Sequence, residues 1–360
     1  MMKRRDRILT ILFLLLIAGF VGVADRFFDL YMVRILNLCA IYTVLGLSMN
    51  LINGFTGLFS LGHAGFMAVG AYTAALLTMP AEVKQQIFYM TPIMKPLDLT
   101  NLPFPLALIA GGLLAAVAGY LIGAPVLKLK GDYLAIATLG FAEIIRVIFT
   151  NTQSITNGAL GLKGIPDTTN LWWSFGTAFF TLLVLASLVN SSFGRALKAI
   201  REDEVAAESM GIGLARHKII AFVVGAFFAG IGGGLLGNLL GTIDPRMFTF
   251  TLTFNILLII VLGGMGSFSG TIIAAFGVTI ANEWLRILDE RIDLGFVVFE
   301  GKVGMRMVVF STLLMLVVIF YRHGLMGAAE LSWEGIVNSK PGVVCSGFLR
   351  KFSGAKGGES

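Results

Sequence analysis

Two cysteines, three histidines and a charged fraction of 13% in 360 residues leave little material for most kinds of enzyme chemistry. Cys39 falls in an apolar run and Cys345 in a polar C-terminal stretch, so a disulfide between them is not expected, and neither has the neighbours of a metal site. His63, His217 and His323 are far apart in sequence, which disfavours general acid–base work. The sequence has no HExxH, no GxSxG and no Walker A pattern, so it offers no zinc protease or serine hydrolase signature and does not bind ATP by that route. Alternating polar and apolar segments are missing too, which excludes a transmembrane β-barrel.

What is abundant is apolar surface. Hydrophobic residues make up 56% of the chain, mean hydropathy is +0.86 and there are 44 glycines. One soluble core cannot hide such a composition, so the chain is read as an all-α, polytopic membrane protein. Windows of about 20 apolar residues, the length needed to cross the hydrocarbon, recur at 8–24, 35–52, 59–79, 104–124, 133–150, 172–190, 218–241, 250–266, 267–283 and 303–321. That predicts about ten helices, with 54–58 and 264–266 either span boundaries or re-entrant bends. The start, MMKRRDRILTILFLLLIAGFVGVAD, also has the form of a secretory signal, but an uncleaved first helix is expected, because its removal would leave an odd number of spans.

Ten spans put both termini on one side. The segments 1–7, 125–132, 191–218 and 322–360 hold sixteen Lys and Arg residues, and the opposite loops hold nine. The excess predicts that the first set, with both termini, is cytoplasmic. A permease domain over 1–324, with a cytoplasmic loop at 191–217, is then followed by a polar tail, 325–360, expected to be partly disordered.

Polar groups inside apolar runs are the usual pointers to a pathway. Glu143 and Arg146 lie three apart on one helical face, as a structural ion pair or as a substrate contact. His63, after a helix start expected at Ser60, reads as a hydrogen-bonding partner in packing or as a ligand. Gly230, Gly234 and Gly237, and again Gly266 and Gly270, fall at the spacing that makes a flat stripe for close helix approach.

The loop FGRALKAIREDEVAAESMGIGLARHK (193–218) carries nine charges between two nearly uncharged stretches. Its composition predicts a helix over 194–210, with Leu197, Ile200, Ala207 and Gly211 on one stripe and Ala206 beside it. Arg195, Lys198 and Arg201 fall elsewhere on the same helix. A stripe so small and rich in alanine suits a groove of another protein better than lipid; the alternative is a solvated connector.

EVAAESMG resembles the EAA loop of ABC importer permeases, with Ala206, Ala207 and Gly211 matching and the acid shifted to Glu204, because Val205 stands at the usual glutamate position. Five stretches in order (57–77, 131–146, 156–166, 194–212 and 261–286) resemble the LivM-type permease of branched-chain amino acid importers, over roughly 35–321. Urea importer permeases are similar in the same regions. The resemblance implies a multi-pass subunit of the bacterial cytoplasmic membrane, surrounded by lipid and working by alternating access. It also implies two cytoplasmic ATP-binding subunits that hold ATP and Mg, a homologous second permease and an extracytoplasmic substrate-binding protein, with no nucleic-acid partner and no cofactor in this chain. Arg195, Leu197, Ile200, Glu204, Ala206, Ala207 and Gly211 would then form the helix that docks on the ATPase. A secondary transporter in which Glu143 and Arg146 couple to protons is the reading from another class.

Overall fold

The computed structural model describes residues 4–286 apart from 90, 96, 99 and 130, together with 292–293, 298–299, 304, 308–309, 311–312, 315, 319, 324–327 and 330. In chain order the helices are α1 (Arg4–Phe27), α2 (Leu30–Asn50), α3 (His63–Thr78), α4 (Ala81–Ile87), α5 (Phe104–Val126), α6 (Asp132–Asn151) and α7 (Gln153–Thr156). They continue as α8 (Leu171–Asn190), α9 (Ser192–Glu202), α10 (Glu204–Ser209), α11 (Leu214–Leu240), α12 (Phe250–Gly263) and α13 (Phe268–Trp284). Among the described residues strands are confined to two antiparallel two-residue pairs: β1 (Leu162–Lys163) with β2 (Thr242–Ile243), and β3 (Ile292–Asp293) with β4 (Val298–Phe299). Among the described residues six helical segments are long and apolar enough to cross a membrane, or seven if α3 and α4, bent by 118°, count as one. The tenth expected span, 303–321, lies largely outside the described residues.

Apolarity alone does not say which helices are central; packing does. The Leu30–Phe55 span is 78% buried and Leu214–Leu240 72%, against 22% for Tyr133–Asn151 and 28% for Leu171–Asn190. So α2 and α11, with α3 and α5 packed on α11 and on each other, form the core, while α6 and α8 present Ile136, Ile144, Phe180 and Leu183 outward. Glycine makes this core possible, because lipid offers no hydrophobic drive to bring helices together and van der Waals contact must do so. Gly70 of α3 lies against the backbone of Gly230, and a Cβ on Gly230 would stand 2.5 Å from that of Ala115 on α5. Gly233 meets the Met67 backbone, Gly234 meets Leu108 and Ala74, and Gly237 meets Ile243 and Ala71.

The two uncertain connections turn out differently. After Asn50 the helix widens into a π-turn, Leu51–Phe55, and the chain then runs without helix to Gly62. His63 therefore opens α3 level with Ser48, three residues later than the Ser60 start expected from sequence. The α3 start sits inside the bundle and is satisfied by side chains: Ala64 N–H donates to the Thr253 hydroxyl and Leu61 N–H to that of Thr138, each at 3.0 Å. By contrast α12 and α13 form a tight hairpin, with Gly264 and Gly266 at φ of 113° and 90°, which residues with a Cβ rarely adopt. Gly263 faces the Gly270 backbone, and Ile259 packs with Ala274, Ala275 and Val278. Gly266 thus belongs to the turn, and of the expected pair on a helix stripe only Gly270 lies in α13.

Candidate functional site

The charged loop folds as two helices, not the single helix over 194–210 that its composition suggests. Ser191 caps α9 by accepting the Gly194 N–H, and Asp203, in extended conformation, ends it and caps α10 by accepting from Val205 and Ala206. Aspartate favours such a cap over a helix interior, because its short carboxylate reaches the free N–H groups of the next turn. Gly211, at φ 82°, closes α10 as helix-terminating glycines do. The unit is tied back to α11 by Lys218, which is buried and donates to Glu204 at 2.6 Å, and by the His217 ring stacked on Phe193 at 4.9 Å. The displaced acid of the EVAAESMG stretch is therefore a structural anchor.

The stripe read as a docking surface faces inward. Leu197 is 0% exposed, Ile200 2% and Ala207 4%, all packed within this chain. The outward surface is Val205, 72% exposed, and Met210, 81% exposed, with Arg195, Ala206 and Gly211 exposed around them. Sequence periodicity located the apolar stripe, with Met210 beside it, but could not say whether the stripe meets this chain or another, nor that Val205 and Met210 face out at the short second helix and its C-cap.

On its inner side the loop grips two segments of the bundle. Arg201 Nη1 donates to the Gly54 carbonyl in the π-turn at 2.6 Å, and a Cβ on Gly266 would stand 2.6 Å from the same nitrogen. Lys198 sits 5.8 Å over the Phe55 ring, which lies 4.5 Å from that of Phe268 at the start of α13. Asn50, fully buried, accepts from Gly266 N–H and donates to the Ser267 carbonyl and the Thr271 hydroxyl, at 2.8–2.9 Å. The chain returns here once more: Leu325 and Met326 N–H bond to the Leu262 and Gly263 carbonyls, and Glu330 accepts from Phe268 and Ser269 N–H at the start of α13. Four segments far apart in sequence thus meet at the loop end of the bundle.

The other sequence candidates are elsewhere. Glu143 and Arg146 pair with each other, Oε2 to Nε at 2.7 Å, halfway along α6 and 39% and 31% exposed, with no bond from either side chain to another helix among the described residues. His63 is buried and its Nε2 lies 3.0 Å from the Ser48 hydroxyl, an internal partner. No group of three His, Cys, Asp or Glu placed to hold a metal occurs among the described residues.

Residues 31–320 match the family model described as the permease component of branched-chain amino acid transport systems. The chain is 37% identical to the high-affinity branched-chain amino acid transport system permease protein LivM of Escherichia coli (strain K12), over 72% of this chain and 64% of that protein. It thus spans under two thirds of that relative's length. It is 27% identical to the probable LivM permease of Methanocaldococcus jannaschii, over 79% of this chain and 90% of that one. It is 24% identical to the LivH permease protein of Salmonella typhimurium, over 81% and 92%. No solved structure matches.

Proposed function

The chain belongs to the family of permease components of branched-chain amino acid transport systems, and from that premise we propose that it is the membrane-spanning subunit of an ATP-driven importer of leucine, isoleucine and valine. It works in a bacterial cytoplasmic membrane, beside a homologous second permease. Two cytoplasmic ATP-binding subunits hold ATP and Mg, and an extracytoplasmic binding protein delivers the substrate. Ten spans with both termini cytoplasmic fit this role. In that topology 53–58, 191–217, 264–266 and the segment after 322 share the cytoplasmic side; the Arg201–Gly54 bond, with those of Gly266 to Asn50 and of Leu325 and Met326 to Leu262 and Gly263 at the edges of these segments, supports it. The self-contained Glu143–Arg146 pair gives no support to proton-coupled transport.

The observation that carries the mechanism is the two-sided α9–α10 unit. Its outer surface offers Val205 and Met210 to a partner, and its inner surface holds the π-turn and the α12–α13 tip through Arg201 and Lys198. Closure of the ATP-binding subunits would move this unit as a body. Arg201 would then pull the end of α2 and the hairpin tip together, tilting the helices that separate the two openings of the pathway. π-Turns are rare and occur frequently at functional sites.

The test is labelled leucine uptake and ATP hydrolysis by the assembled transporter carrying Met210→Asp or Val205→Arg. Both sites are exposed, so the permease should remain folded in the membrane while leucine uptake and substrate-stimulated hydrolysis fall by roughly tenfold or more, about 1.4 kcal/mol of docking energy. Normal uptake by both variants would rule out docking at this face.

A further inference from the structure

A half-open cleft of about 150 Å³ lies between α2, α12 and α13. Tyr42 is eight residues before Asn50, and Thr279 eight after Thr271, so the cleft lies about 12 Å along the helices from the loop end. One wall is aliphatic, made by Leu38, Ile259 and Val278. Facing it are Tyr42, Asn255, Thr279, Asn282 and Glu283. Thr279 is 8% exposed and its hydroxyl makes no hydrogen bond; the Cys39 thiol beside it is at best a weak partner. The side chains of Tyr42, Asn255 and Asn282 bond to no described residue. The Glu283 carboxylate, at the mouth, accepts from the Tyr31 hydroxyl at 3.1 Å and pairs with Arg286 at 3.3 Å.

Lipid cannot fill such a place, since each donor or acceptor left without a partner in hydrocarbon costs several kcal/mol. The occupant must therefore supply both hydrogen-bond donors and acceptors, together with an apolar part for the aliphatic wall. We propose that this cleft is a station on the translocation pathway for a small zwitterionic amino acid with an aliphatic side chain. Its ammonium faces Glu283 and the asparagine carbonyls, its carboxylate faces the Tyr42 and Thr279 hydroxyls and the asparagine amide nitrogens, and its side chain lies on Leu38, Ile259 and Val278. Glu283 is already shared with Arg286 and Tyr31 and the other partners are uncharged, so the hold is weak, as a station that must release its cargo requires. This inference rests on the importer reading above and names the place where that reading puts the substrate inside the membrane.

The experiment uses the whole transporter with its partner subunits. Asn282→Cys is labelled with a small methanethiosulfonate reagent, against the wild type as background, with L-leucine or urea present at millimolar concentration. Leucine should slow labelling and urea should not. In parallel, Thr279→Val and Asn255→Leu should raise the KM for leucine by roughly three- to tenfold, the worth of one hydrogen bond. Labelling that leucine does not slow, together with an unchanged KM in both variants, overturns the station; equal protection by urea overturns the zwitterion. A wild-type transporter that moves no leucine fails at an earlier step and refutes the importer reading itself.

Discussion

The same three helices, α2, α12 and α13, carry polar groups at two levels and use them in opposite ways. At the loop end Asn50 commits its whole amide to Gly266, Ser267 and Thr271, and Arg201 and Glu330 close the cluster from outside. About 12 Å away, Tyr42, Asn255, Thr279 and Asn282 are set around a cleft with their hydrogen-bonding groups uncommitted. Satisfied polar groups in a membrane protein fix one arrangement of backbone, whereas unsatisfied ones persist only where something else meets them. The first level is thus a joint that must hold and move as one piece, and the second is a place that something passes through.

The largest effect that would test this contrast is at Asn50. Asn50→Leu leaves the Gly266 N–H without its partner in a fully buried setting, at about 1–3 kcal/mol, and takes one bond each from the Ser267 carbonyl and the Thr271 hydroxyl, at about 0.5–1.5 kcal/mol more apiece. Much less permease should accumulate in membranes, and what remains should aggregate at lower temperature. If Asn50→Leu is as stable as wild type, the loop end is no joint. Next comes the charged pair outside both levels. Arg146→Met strands Glu143 partway down a membrane helix at up to roughly 2.5–3.5 kcal/mol, while Glu143→Met with Arg146→Met should restore accumulation. A stable double variant that no longer transports would move the pathway to α6.

Arg201→Ala should act on coupling more than on folding. Losing a charged hydrogen bond worth about 1.5–3 kcal/mol should cut leucine transported per ATP hydrolysed, with Arg201→Lys partly restoring it; an unchanged ratio would remove Arg201 from the transmission path. The smallest stability change is expected in the cleft. Thr279→Val removes a buried hydroxyl that has at best the Cys39 thiol as a weak partner, so thermal stability should hold or rise by up to about 1 kcal/mol. A clear loss of stability there would mean that the hydroxyl is structural after all.

The sequence made some of these features legible and hid others for identifiable reasons. Charge is conspicuous in an apolar chain, so Glu143, Arg146 and the loop at 193–218 stood out at once. Asn255, Thr279, Asn282 and Tyr42 did not, because a single uncharged polar residue in an apolar run is common and its hydrogen bonds can be met within its own helix. Thr181, which donates to the Thr177 carbonyl at 2.7 Å, is met in that way. Likewise the stripe of Leu197, Ile200 and Ala207 was visible as a periodicity, but not the direction it faces.

By itself the sequence determined the solvent, the helical class and the position of the charged loop, because apolar length and composition act locally along the chain. The family was legible as well, since its motifs are short and ordered. Only the tertiary structure decided that α2 and α11 are central, that the loop breaks at Asp203 and turns Val205 and Met210 outward, and that residues from three helices face a common cleft. Those outcomes depend on which surfaces meet, and a surface is assembled from residues up to 245 positions apart (Leu38 and Glu283), a relation that no local pattern along the chain records.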